Sequence, residues 1–228
     1  MTASTRASSQ TYARRRRAMG AAMGLFNDEI RGSNRADTIR ANRCSIKILG
    51  YGGDDRLTGS PCRDLIKGGS GNDTIKGKGN NDLLIGGSGN DRIYGGRSDA
   101  GSLGQGDTIM PGKGADFVKI GGKGSLLPWL GALGDGDADT VVYKLNKKKN
   151  SLLQFISETY DDLLDDRDSI IVKGVRTDEL DIRRGETAGI DPMPAGVFYK
   201  DRMIIALGTN HPGVPFEQLS QQIVGSLG

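Results

Sequence analysis

Between residues 32 and 142 an aliphatic side chain returns about every nine positions. Ile39, Ile48, Leu57, Ile66, Ile75, Leu84, Ile93, Ile109, Val118 and Val141 hold that place. Two residues ahead of them stand Asp37, Asp55, Asp64, Asp73, Asp82, Asp91, Asp107, Asp116 and Asp139, with Ile46 the one departure. Shorter polar residues such as Thr74, Thr108 and Thr140 lie between. This alternation predicts a short strand in each copy, with the aliphatic residue turned inward and its neighbours outward. One strand and one turn per copy make two copies per coil, so every second copy stacks about 4.8 Å above the last. The expected class is all-β: a parallel β-roll over 27–142, with a small mixed capping region over 143–228.

The turns carry the composition. The clearest copies read Gly68-Gly69-Ser70-Gly71-Asn72-Asp73-Thr74-Ile75-Lys76 and Gly86-Gly87-Ser88-Gly89-Asn90-Asp91-Arg92-Ile93-Tyr94. Glycine is 36 of 228 residues, about twice the usual ~7%, because tight turns demand positive φ and close backbone approach. An isolated Asp in such a turn is ordinary turn chemistry. A stacked column of them is different, because carboxylates at strand spacing repel unless a cation intervenes. Even spacing predicts one column of Asp37, Asp55, Asp73, Asp91 and Asp116 and a second of Asp64, Asp82, Asp107 and Asp139. Carboxylates with turn carbonyls form an oxygen-only cage that suits Ca²⁺, with about seven sites between adjacent pairs.

The stretch 32–142 resembles the RTX (repeats-in-toxin), or hemolysin-type calcium-binding, repeats. The resemblance implies a β-roll that folds on binding calcium and export by a type I route. It also implies metal ligation by the aspartates above and by the turn backbone of Gly68, Gly69, Gly71, Gly86, Gly87 and Gly89.

Three departures from the repeat stand out. Extra residues fall around 97–102 and 125–133, on the same side of the roll if copies are counted by their aspartates. The second insertion holds Leu127, Trp129 and Leu130, including the chain's one Trp. It reads as a satellite apolar cluster or, alternatively, as a partner patch, since Trp is enriched at binding hot spots. Cys44 and Cys62 share one position of the repeat, eighteen residues apart. They should stack one coil apart, within reach of a disulfide, beside the copy where Ile46 replaces Asp. Two independent thiols are the alternative.

The flanks differ. Residues 1–26 carry Arg6 and four arginines at 14–17 without an acid, and read as a disordered basic arm rather than a signal peptide. Beyond 142 the pattern predicts a helix over 151–164, strands over 169–175, 179–183, 196–199 and 203–207, and a final helix over 215–227. Asp161, Asp162, Asp165, Asp166 and Asp168 read as a solvated helix end, lacking the Gly and Glu of an EF-hand loop.

Catalytic signals are weak. His211 is the chain's one histidine, so no H-E-x-x-H site exists, and there is no G-x-S-x-G elbow. No segment has the ~20 apolar residues of a helical membrane span. The expectation is a secreted, non-enzymatic calcium-binding protein with a structural, adhesive or interaction role. The alternative is an accessory module or small enzyme acting on an anionic polysaccharide, given basic outward residues such as Lys67, Lys76 and Lys119. A cell-surface component is the other candidate partner; nucleic acid is not expected.

Overall fold

In a computed structural model, residues 26, 28–97, 106–120, 129–131, 137–145, 153–156, 167–183, 195–208 and 221–227 are described. Strands alternate between two sheets, as a nonapeptide solenoid requires. Sheet A receives β1 (Asp28–Arg31), β3 (Ile46–Gly52), β5 (Leu65–Ser70), β7 (Leu83–Ser88) and β9 (Thr108–Lys113). Sheet B receives β2 (Thr38–Arg40), β4 (Arg56–Thr58), β6 (Thr74–Gly79), β8 (Arg92–Arg97) and β10 (Phe117–Ile120). Pairing within each of these ladders is parallel and in register, with Ile48 beside Ile66, and Ile75 beside Leu57 and Ile93. The aliphatic residues from Ile48 to Val141 are fully or almost fully buried and form one continuous core. Ile39, in the first coil, is only partly covered.

The ladder continues beyond residue 142. In sheet B, β12 (Thr140–Lys144) pairs with β10, β14 (Ser169–Lys173) with β12, and β18 (Ile223–Ser226) with β14, all parallel. In sheet A, β11 (Trp129–Gly131) pairs with β9, β13 (Leu153–Ile156) with β11, and β17 (Arg202–Gly208) with β13. There the sense reverses. β16 (Ala195–Tyr199) and β15 (Leu180–Arg183) add antiparallel strands that end sheet A. A reversal at the end closes a core that a solenoid otherwise leaves open. At the other end, β1 carries Asp28, Glu29 and Arg31, and edge charges of this kind discourage further pairing.

Three sequence expectations change. Within the helix expected over 151–164 the described residues form β13, and within the final helix expected over 215–227 residues 221–222 are helical and β18 begins at Ile223. In both segments the edge of the growing ladder pairs the backbone between strands, in place of a helix's internal hydrogen bonds. More consequentially, the stretch between Asp116 and Asp139 is not one enlarged turn. It contains β11, with Leu130 beside Ile109 in the aliphatic row. This is an additional half-coil with proline instead of Asp two residues before Leu130, so counting by aspartates skipped it. Trp129 and Leu130 therefore belong to a sheet strand rather than to an inserted loop. Leu127 lies outside the described residues, as do most of 1–26, residues 98–102, His211, and Asp161, Asp162, Asp165 and Asp166.

Candidate metal centre

Each aspartate of the repeat spans two coils. The backbone N–H of Asp37 donates to Asp55 Oδ1 at 2.7 Å, that of Asp55 to Asp73 Oδ1 at 2.8 Å, and that of Asp73 to Asp91 Oδ1 at 2.7 Å. The chain of bonds runs on through Asp91 to Asp116, Asp116 to Asp139, and Asp139 to Asp168. Repulsion between stacked carboxylates is thus met in part by main-chain donors, one per coil. Asp139 sits in the column of Asp116, not in that of Asp107, because the extra half-coil restores its side. Asp168 extends the same column and is buried rather than solvated. Its signal was present: Asp168-Ser169-Ile170 repeats the spacing of Asp139-Thr140-Val141.

The second column is short. Ile46 N–H donates to Asp64 Oδ1 at 2.9 Å, Asp64 to Asp82 at 2.8 Å, and Asp82 to Asp107 at 3.0 Å. Ile46 has an apolar side chain where its neighbours carry carboxylates, and it is buried. The two turn ridges are therefore unequal. The ridge leading from sheet A into sheet B holds the long column, and the ridge leading back holds the short one.

The other carboxylate oxygen points into the turn. Oδ2 of Asp55, Asp73, Asp82 and Asp91 is buried and accepts no hydrogen bond. Each faces the first glycine of its own copy. A Cβ at Gly68 would overlap Asp73 Oδ2 and lie 2.7 Å from the Gly86 carbonyl oxygen, which comes from the next coil. Gly50, Gly77 and Gly86 repeat this, meeting Oδ2 of Asp55, Asp82 and Asp91 and a carbonyl one coil on. The absent side chain leaves a cradle in which carboxylate and carbonyl oxygens converge. The turn beyond it is left-handed at Gly69 and Gly71, with φ of 125° and 118°. A side chain at Gly71 would also press on the Gly53 carbonyl oxygen, at 2.5 Å. Glycine is required there by conformation and by space.

Burial sets the electrostatics. Loss of solvation pushes the Asp73 carboxyl up to about 6, Asp91 to about 7 and Asp82 to about 9. The Asp55 carboxyl is raised for the same reason. Like charge along the column adds to it: Asp55 beside Asp73, Asp73 beside Asp91, and Asp107 beside Asp82. Buried oxygens without a proton donor, in a cradle lined by carbonyls, suit a hard cation with oxygen ligands. Among the described residues no three His, Cys, Asp or Glu side chains converge. Each cradle brings together one carboxylate oxygen and a backbone carbonyl of the next coil.

The family of RTX calcium-binding nonapeptide repeats (HemolysinCabind, four copies) matches the chain over residues 47–75 and 67–99. Residues 47–99 are RTX calcium-binding repeats. No match is found among curated proteins. The RTX segment covers both ridges but is not uniform. Its Asp64 carboxylate is already served by the protein. Oδ2 accepts from the Ser60 backbone N–H, and Ser60 Oγ lies 3.1 Å from Oδ1. Ser60-Pro61-Cys62 replaces the Gly-x-Gly of the other ridge.

Beside this turn Cys44 and Cys62 form a disulfide, with a Cα–Cα separation of 5.1 Å. It joins adjacent coils on the ridge where Ile46 ends the aspartate column. Closing a loop of this size stabilises by roughly 3 kcal/mol through the unfolded state. Reduction of the calcium-loaded protein should therefore lower its thermal midpoint by several degrees. The same shift should appear in Cys44→Ser/Cys62→Ser without reductant. Equal midpoints before and after reduction would contradict a structural role for the bridge.

Proposed function

We propose that the chain is an exported, non-enzymatic RTX protein whose roll folds when it meets extracellular calcium, and which then acts as a rigid structural or interaction element. The buried, unpartnered Oδ2 atoms of Asp55, Asp73, Asp82 and Asp91 carry this reading. Without a cation they place ionised or proton-hungry carboxylates in a dry turn. With one, the same oxygens become ligands. Residues 50–91 of the long ridge, through Asp55, Asp73 and Asp91 and the carbonyls of Gly68 and Gly86, would hold ions. Asp82 with Gly95 would hold another. Calcium supplies charge neutralisation and cross-links successive coils.

Binding to the folded state alone makes calcium a folding ligand. Low cytosolic calcium would keep the chain open for a type I exporter, and weak sites suit the millimolar concentrations outside. The disulfide favours the same destination, since such bonds persist in oxidising compartments. Among the described residues no helix is long and apolar enough to cross a membrane. The weak catalytic signals of the sequence support the non-enzymatic part. The decisive experiment is far-UV circular dichroism during a calcium titration, with magnesium as control. A β signal should grow with calcium and not with equal magnesium. A spectrum indifferent to calcium defeats the proposal.

A further inference from the structure

The outer face of sheet B has a charge pattern that its core duties do not explain. Each of β2, β4, β6, β8 and β10 turns its aliphatic residue inward and two residues outward. In every one of the five strands, one outward residue is a cation: Arg40, Arg56, Lys76, Arg92 and Lys119. All five are exposed, and none of the outward positions on these strands is acidic. None of the five forms an ion pair among the described residues. On sheet A, by contrast, Glu29 meets both Arg31 and Lys47, and Leu65 and Leu83 occupy outward places.

The register turns these cations into a zigzag. Arg56 and Arg92 lie in the row just before the aliphatic residue, with Thr74 on the strand between them. Lys76 and Lys119 lie in the row just after it, with Tyr94 between them, and Arg40 belongs to that same row. Successive strands thus offer one cation every ~4.8 Å, on alternating sides of a line across the sheet. Tyr94 and Phe117 fill the complementary places on β8 and β10, facing each other diagonally across that line with ring centroids 6.0 Å apart, and Lys76 Nζ lies 5.8 Å from the centroid of the Tyr94 ring. The sequence had grouped Lys67 with Lys76 and Lys119, but Lys67 is on sheet A and outside this row.

We infer that the outer face of sheet B is a docking track for a linear anionic polysaccharide running across the strands. The argument is charge and shape complementarity. An extended polymer of acidic sugars presents one carboxylate per sugar, on alternating sides, and its ring faces pack on aromatic side chains. A sheet with one cation per strand on alternating sides, and two rings in the complementary places on neighbouring strands, matches that order. Duplex DNA or a lipid surface needs charge but neither the alternation nor the rings. The inference rests on the calcium-folded roll, because only the folded ladder creates the row.

The test uses the full chain, saturated with calcium and shown by circular dichroism to be folded, so a failure of folding is distinguished from a failure of binding. Short oligogalacturonates serve as the probe and neutral dextran as the control. The expected result is salt-sensitive binding to the uronate and none to dextran. Arg56→Gln/Lys76→Gln/Arg92→Gln should weaken it on the order of 100-fold with an unchanged spectrum. Lys67→Gln on the opposite sheet should leave it unchanged. Tyr94→Ala/Phe117→Ala should weaken the uronate while sparing any residual charge-driven association. No uronate binding by the folded protein overturns the assignment. So does binding that survives the triple variant, or duplex DNA or phosphatidylglycerol vesicles binding as tightly with the same losses.

Discussion

Replacing Asp73 with alanine is expected to remove at least one bound calcium ion per chain and to raise the calcium concentration for half-folding at least about tenfold. Asp73 has two separable jobs. Its Oδ1 holds the Asp55 backbone at 2.8 Å, and its Oδ2 enters the Gly68 cradle without a protein donor. Alanine leaves a buried N–H unmatched, a loss of about 1–3 kcal/mol, and deletes a metal ligand. Asp64→Ala is the companion. Asp64 makes the same inter-coil bond, to Ile46, but its second oxygen is occupied by Ser60. That variant should be less stable yet bind the same number of ions as the parent when saturated. Calorimetric stoichiometry separates the two. Equal losses of calcium in both variants would show that the ridges are equivalent and that the Ser60 turn does not replace a metal.

The second expected result concerns pH, and its sign reverses with calcium. A carboxyl whose pKa is higher folded than unfolded binds more protons in the folded state. Its stabilising contribution is complete below the unfolded value of about 4. It is lost as pH rises through the folded values of about 6 for Asp73, 7 for Asp91 and 9 for Asp82. The metal-free roll should therefore lose folded fraction steadily across that window, and acid should partly replace calcium as a folding agent. Binding calcium requires the same carboxylates to release their protons. The calcium midpoint should accordingly fall as pH rises from about 5.5 to about 8, by roughly tenfold or more. Paired titrations by circular dichroism, with chelator and with calcium, test both limbs. A metal-free signal that grows with pH, or a midpoint that ignores pH, would count against desolvated carboxylates as the sensing groups.

These two results bear on one physical picture. The Asp ladder is a structural device whose cost is hidden in the turn. Backbone donors satisfy one oxygen of each carboxylate, which keeps the columns in register. In Asp55, Asp73, Asp82 and Asp91 the other oxygen is left where water does not reach. The proposed export route exploits that imbalance: the fold is disfavoured where calcium is scarce and favoured where it is plentiful. The disulfide ridge has the opposite character. With Ile46 and a Ser60-served Asp64, its first coils are joined by covalent and hydrogen bonds that need no ion.

Much was legible in the nonapeptide. The inward aliphatic row, the alternation between two sheets, the glycine turns and the oxygen chemistry of the site all follow from short-range rules: strand alternation, φ preference and carboxylate repulsion. The Cys44–Cys62 proximity also follows, because eighteen residues is one coil. What the spacing could not reveal was where a copy hides without its aspartate. Trp129–Gly131 and Leu153–Ile156 become strands because the ladder edge offers unpaired backbone groups, not because their sequence repeats the motif. That long-range pairing moved Asp139 to the other column and brought in Asp168. It made the long ridge run from Asp37 to Asp168 and confined the other to Asp64, Asp82 and Asp107. The amino-acid sequence by itself determined the repeat unit and the oxygen-rich turn that implies calcium, since both follow from short-range rules within nine residues. Only the tertiary structure decided how many units stack on each side, and which outward cations share a face, since both depend on hydrogen bonds between strands distant in the chain.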